Sequence, residues 1–79
     1  MDYNTEKVDE ATLALMWLVT QKDKSGSRAW KNFDWATLDR LHEKGLISDP
    51  KSKAKSVALS EEAVKLSKAL FNKLFGGAV

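Results

Sequence analysis

The side chains best suited to chemistry fall in one short stretch, Asp39, His42 and Glu43, interleaved with Arg40 and Lys44. A histidine can move a proton near neutral pH, and carboxylates four positions apart share one side of a helix, where they can approach a cation. The pattern stops short of a site. No Ser lies at helical spacing from His42, and the chain holds no cysteine and no second histidine. A thiol nucleophile and a thiolate zinc site are therefore excluded. Asp39 and Glu43 lack a third fixed ligand and have Arg40 and Lys44 as nearer partners. The expectation is a protein that is not an enzyme, with no cofactor and no metal, in which His42 is a surface residue or a helix-end charge.

Phosphate binding is the chemistry that the charge distribution favours. Net charge is only +2, but the signs are sorted along the chain, and sorted charge creates local potentials. Residues 1–20 are net acidic through Asp2, Glu6, Asp9 and Glu10, while 21–31 carry Lys22, Lys24, Arg28 and Lys31 against Asp23 alone. A second basic run, Lys51, Lys53 and Lys55, has no acidic residue among its members. Both runs contain Ser, and the first also contains Gly26, so both read as loops with lysines reaching into water. Simple solubility explains such lysines; contact with phosphates is the functional alternative. Trp30, Phe33 and Trp35 crowd together nearby. Clustered aromatics usually plug a small core from one side, and a base-stacking platform or a partner's hot spot is the other reading.

The elements that must position these residues fit one domain over 1–79, because a chain of 79 residues supports only one small core. The first helix starts near Asn4 or Thr5. Val8, Ala11, Leu15, Leu18 and Val19 form one apolar stripe along it, and Leu13, Met16 and Trp17 a second. Residues 22–33 read as an exposed loop followed by a stretch too short to classify. The second helix runs from about 35 to 44, with Asp34 as N-cap, Phe33 stapled over Leu38, and Gly45 placing Leu46 over Leu41 at the end. Trp35, Leu38 and Leu41 should face inward. Leu46 to Ser48 and Val57 to Leu59 read as two strands joined by the basic loop after Asp49-Pro50. Ser60 caps a closing helix that carries Leu66, Leu70, Phe71, Leu74 and Phe75 and stops at Gly76-Gly77. The fold class is α+β, mostly helical: three helices plus a small two-stranded antiparallel hairpin. The acidic start and a longest apolar stretch of seven residues, Leu13 to Val19, give no sign of a membrane segment, so a cytoplasmic protein is expected.

The string RLHEKGLISDPKSKAKSVALSEEA, within residues 35–68, resembles the recognition-helix-and-wing half of winged helix-turn-helix regulators of the multiple-antibiotic-resistance type. RAWKNFDW together with DRLHEKGLISDPKSKAKS resembles a small bacterial family of uncharacterised proteins over nearly the whole chain. The regulator resemblance implies a winged-helix-like domain with residues 35–44 in the place of a recognition helix and 50–55 in the place of a wing. Such a protein would bind double-stranded DNA.

Two functions follow as expectations. The first is a DNA-binding module that contacts phosphates through Lys51, Lys53, Lys55, Arg40, Lys44, Arg28 and Lys31. The second helix is net acidic and its exposed face lacks Asn and Gln, which argues against sequence-specific readout. The alternative is a protein-interaction module, a homodimer on the same frame. It would use the surplus apolar surface of the terminal helices, namely Leu13, Met16, Trp17, Phe71 and Phe75.

Overall fold

The computed structural model describes residues 2–24 and 26–76. Helix α1 spans Thr5–Val19. Asn4 is its N-cap, its side chain accepting from the Lys7 amide at 3.1 Å, and Glu6 lies in the first turn near the positive helix end. At the other end the Thr20 hydroxyl donates to the Met16 carbonyl and the Thr20 amide to that of Trp17.

The next ten residues form a β-hairpin where a loop was expected. Strand β1 is Gln21–Asp23 and β2 is Gly26–Trp30, antiparallel, with Asp23 paired to Gly26. Gly26 has φ 112°, a conformation open to glycine and rarely to other residues. The polar, Ser-rich run carries little intrinsic strand preference. Pairing with β3, Ser56–Leu59, on the other side makes β2 the central strand of a three-stranded sheet, ordered β1-β2-β3.

Helix α2, Trp35–Glu43, is bounded as its sequence foretold. Asp34 accepts from the Thr37 amide at 3.1 Å and from its hydroxyl at 2.9 Å. Gly45 takes φ 76°, its amide donates to the His42 carbonyl, and the Leu46 amide reaches back to Leu41. That pair of bonds is a Schellman ending.

The chain after Gly45 turns back antiparallel to β3, but its first arm is an isolated bridge, Ile47 with Leu59, and not a strand. The Ser48 amide donates to the Ala58 carbonyl, and the Ser60 amide to that of Leu46. In return the Ala58 amide donates to the Ser48 hydroxyl, where a continuing strand would offer a backbone carbonyl. Pro50, with no amide of its own, then closes off further pairing. Thus the expected two-stranded hairpin becomes the outer part of a larger sheet. A hairpin, not a helix, precedes α2.

Helix α3, Glu61–Phe75, is capped by Ser60, which accepts from the Ala63 amide at 3.0 Å. It ends with the Gly76 amide donating to the Phe71 and Asn72 carbonyls; Gly77, the second residue of the expected stop, lies outside the described residues. The core joins Leu13, Ala14 and Met16 of α1 to Ala63 and Leu70 of α3, Leu38 and Leu41 of α2, and Ala29, Val57 and Leu59 of the sheet. Leu46 and Ile47 complete it, and Phe33 packs against it from the side. No helix among the described residues is long and apolar enough to cross a membrane.

Candidate nucleic-acid interface

The register of β2 on β3 decides which cations meet. Trp30 pairs with Ser56, so the next residues along each strand, Lys31 and Lys55, adjoin, and the Lys31 amide donates to the Lys55 carbonyl at 3.3 Å. The Lys31 ammonium reaches into the basic loop and donates to the carbonyls of Pro50 at 2.8 Å and Ser52 at 2.7 Å. Asp49 braces the same loop, its side chain accepting from the Lys51 amide at 2.9 Å. Pro50 is fully buried beneath it. Lys51, Lys53 and Lys55 are exposed on a loop that is tied to the sheet at several points.

Arg28 sits two residues before Trp30 and therefore on the same sheet face. Its Nε donates to the Ser56 hydroxyl at 2.8 Å and its Nη2 to the Ser56 carbonyl at 2.9 Å. A guanidinium has five donors, so these bonds orient the group without using it up. Lys22 and Lys24, by contrast, lie at the far end of β2, beside its pairing with β1. Four residue steps, roughly 13 Å, separate that end from Trp30. The first basic run is thus divided: Arg28 and Lys31 join the 51–55 loop, and Lys22 and Lys24 do not.

The aromatic trio is also divided. Phe33 is half-buried against the core, but Trp30 is 53% exposed and Trp35, in the first turn of α2, is 56% exposed. The expected inward orientation of Trp35 is overturned. Leu38 and Leu41, on the buried side of α2, leave position 35 at the rim, where capping by Asp34 holds it. Both indoles line an open groove of about 570 Å³ together with Lys31, Asn32, Phe33 and Lys55. The Lys31 ammonium stands 6.0 Å from the Trp35 ring centre, within cation–π range. A smaller groove of about 190 Å³ also has Trp30 and Lys55 in its wall, now with Arg28 and Ser56. Among the described residues, neither groove is lined by a carboxylate.

Arg40 and Lys44, expected at the interface, are engaged elsewhere. Asp9 of α1 is 2% exposed. Its Oδ1 accepts from Arg40 Nε at 2.8 Å and its Oδ2 from Lys44 Nζ at 2.9 Å. Lys44 also reaches Glu6 at 3.2 Å. Burial by itself would push the Asp9 carboxyl up, but the hydrogen bonds and charges of Arg40 and Lys44 together outweigh it and hold the group below its ordinary value. Hydrogen bonding to Asp9 raises both Arg40 and Lys44 in turn. These cations join α2 to α1 and neutralise a buried charge.

The five apolar interface candidates separate as well. Leu13 and Met16 are core residues, which corrects their assignment to a dimer contact. Trp17 is half-buried with the Lys68 ammonium 5.8 Å from its ring centre, and Phe71 is half-buried with its ring centre 5.4 Å from that of the exposed Phe75. The exposed apolar residues of α1 are instead Leu15, Leu18 and Val19. His42 is exposed, its Nδ1 3.0 Å from the Ile47 carbonyl. Among the described residues no group of three His, Cys, Asp or Glu is arranged to hold a metal.

Comparison with known proteins places the chain in an uncharacterised group. No solved structure matches it significantly. It is 49% identical over 75 residues to the uncharacterized protein y4hR of Sinorhizobium fredii (strain NBRC 101917 / NGR234), spanning 95% of this chain and 97% of that protein. The model of a domain of unknown function, DUF6429, matches residues 4–77, and the chain belongs to that family.

Proposed function

We propose that this protein is a non-enzymatic nucleic-acid-binding module that holds phosphates with Lys51, Lys53, Lys55, Lys31 and Arg28. The observation that carries this reading is the convergence of those cations. Lys31 anchors the loop bearing the three exposed lysines, and Arg28 and Lys55 share a groove wall with no carboxylate among the described residues. A basic loop held in place can follow a phosphate backbone with less loss of freedom than a slack one. The winged-helix analogy supports the same surface through its wing, residues 50–55, and not through its recognition helix, whose Arg40 and Lys44 are tied to Asp9. Sequence-independent binding is the corresponding expectation.

Fluorescence anisotropy on short labelled DNA, titrated with salt, tests the reading. Five phosphate contacts give a log–log slope of roughly −4 to −5, and replacing Lys51, Lys53 and Lys55 by Gln reduces it by about 3. Absence of binding at low salt with the lysines intact would refute it.

A homodimeric interaction module is the second reading, favoured by Leu18, 64% exposed, with Leu15 and Val19 beside it on α1. Light scattering over a dilution series separates the two: a particle mass of one chain at all concentrations removes the dimer.

A further inference from the structure

We propose that the groove between Trp30 and Trp35 receives an unpaired base, so that the protein prefers single-stranded nucleic acid over a duplex. The inference rests on the phosphate-binding reading above and adds to it the class of nucleic acid. Indole rings are large and apolar, and each of these leaves more than half of its surface in water at a position that contributes nothing to the core. They do so on one groove, whose volume of about 570 Å³ is within the range of small-ligand sites.

The composition of the groove wall selects the occupant. Lys31 and Lys55 stand with the two indoles, and Asn32 supplies both a donor and an acceptor for a base edge. Aromatic faces beside cations, with no carboxylate lining the groove among the described residues, match a planar base carried on an anionic backbone. Duplex bases are stacked on one another and present no free face to an indole, whereas a single strand does. The exposed Lys51 and Lys53, on the loop that leads into Lys55, then offer the flanking phosphates a continuing basic path. A neutral extended peptide could use the indoles and offer carbonyls to an ammonium, but it carries no negative charge to match the run of cations.

The test compares labelled oligo-dT of about ten nucleotides with a duplex of equal length at low salt, using the full chain. Oligo-dT should bind more tightly and quench tryptophan fluorescence. Trp30→Ala and Trp35→Ala should each weaken oligo-dT binding about 5- to 100-fold and leave duplex binding unchanged. Trp35→Phe should keep most of the affinity, while Trp35→Leu, equally apolar but unable to stack, should not. Circular dichroism on each variant reports whether it folds. Equal affinity for both forms, unaltered by the tryptophan substitutions but lowered by Lys51, Lys53 and Lys55→Gln, would overturn this inference and leave phosphate binding standing. Failure of both probes to bind would overturn both, as would tryptophan-dependent capture of an acidic peptide without any oligonucleotide binding.

Discussion

Asp9 accepts a hydrogen bond from the Arg40 guanidinium at 2.8 Å across the seam between the first two helices, with the carboxylate removed from solvent. The partners differ in surroundings: Asp9 is enclosed, while Arg40 keeps about a quarter of its side chain in water. Removing the carboxylate charge leaves Arg40 and Lys44 facing a neutral group inside the fold.

The pH dependence of stability follows from the direction of each shift. Asp9 is held below its unfolded value, so its contribution is present above that value and is lost as pH falls through the folded one, below about pH 4. Arg40 and Lys44 are raised, so their contributions are complete below the unfolded values and fade only as pH rises beyond about 10. Urea unfolding should therefore find this cluster's share constant from about pH 5 to 9. Asp9→Asn should lower stability near neutrality by about 1–3 kcal/mol and flatten the acid limb. An unaltered acid limb would show that Asp9 does not govern it.

Leu13 and Leu18 lie on the same helix with opposite fates. Leu13→Ala opens a cavity in the core and should cost about 2–5 kcal/mol. Leu18→Ala should stay within about 0.5 kcal/mol in a monomer. A Leu18→Ala effect that grows with protein concentration would place that face in a dimer contact instead.

Lys31 serves the basic loop as a clamp before it serves any ligand. Lys31→Met removes both ammonium contacts to the Pro50 and Ser52 carbonyls. Amide hydrogen exchange over residues 51–55 should accelerate while the core amides hold, with a stability loss of about 1 kcal/mol. Unchanged exchange in the loop would mean that buried Pro50 and the Asp49 turn suffice to hold it.

Local grammar was readable in the sequence, and partners distant along the chain were not. Asn4, Asp34, Gly45 and Ser60 each act within a few residues, so helix boundaries followed from residue type. The β1–β2 hairpin escaped because its strand character comes from pairing with Ser56–Leu59, some thirty positions away. The two stripes of α1 were equally apolar by composition, and only the packing of α3 selected Leu13 and Met16 for the core. One signal lay in plain view: Asp9, Leu13 and Met16 recur at helical spacing, so a carboxylate on that stripe required a cation within hydrogen-bond reach. For the candidate interface, the lysines of 51–55 were evident as a run, but the exposure of Trp30 and Trp35 depended on which sides of β2 and α2 the core took.

The sheet's outermost strand has one more consequence. Its free margin is only three residues long and carries Lys22 in an otherwise polar sequence, Gln21 to Asp23. A second molecule would find too few open amides there to extend the ladder, and an ammonium group in the way. The molecule can therefore hold a largely polar hairpin at its rim without that hairpin becoming a seed for stacking chain upon chain.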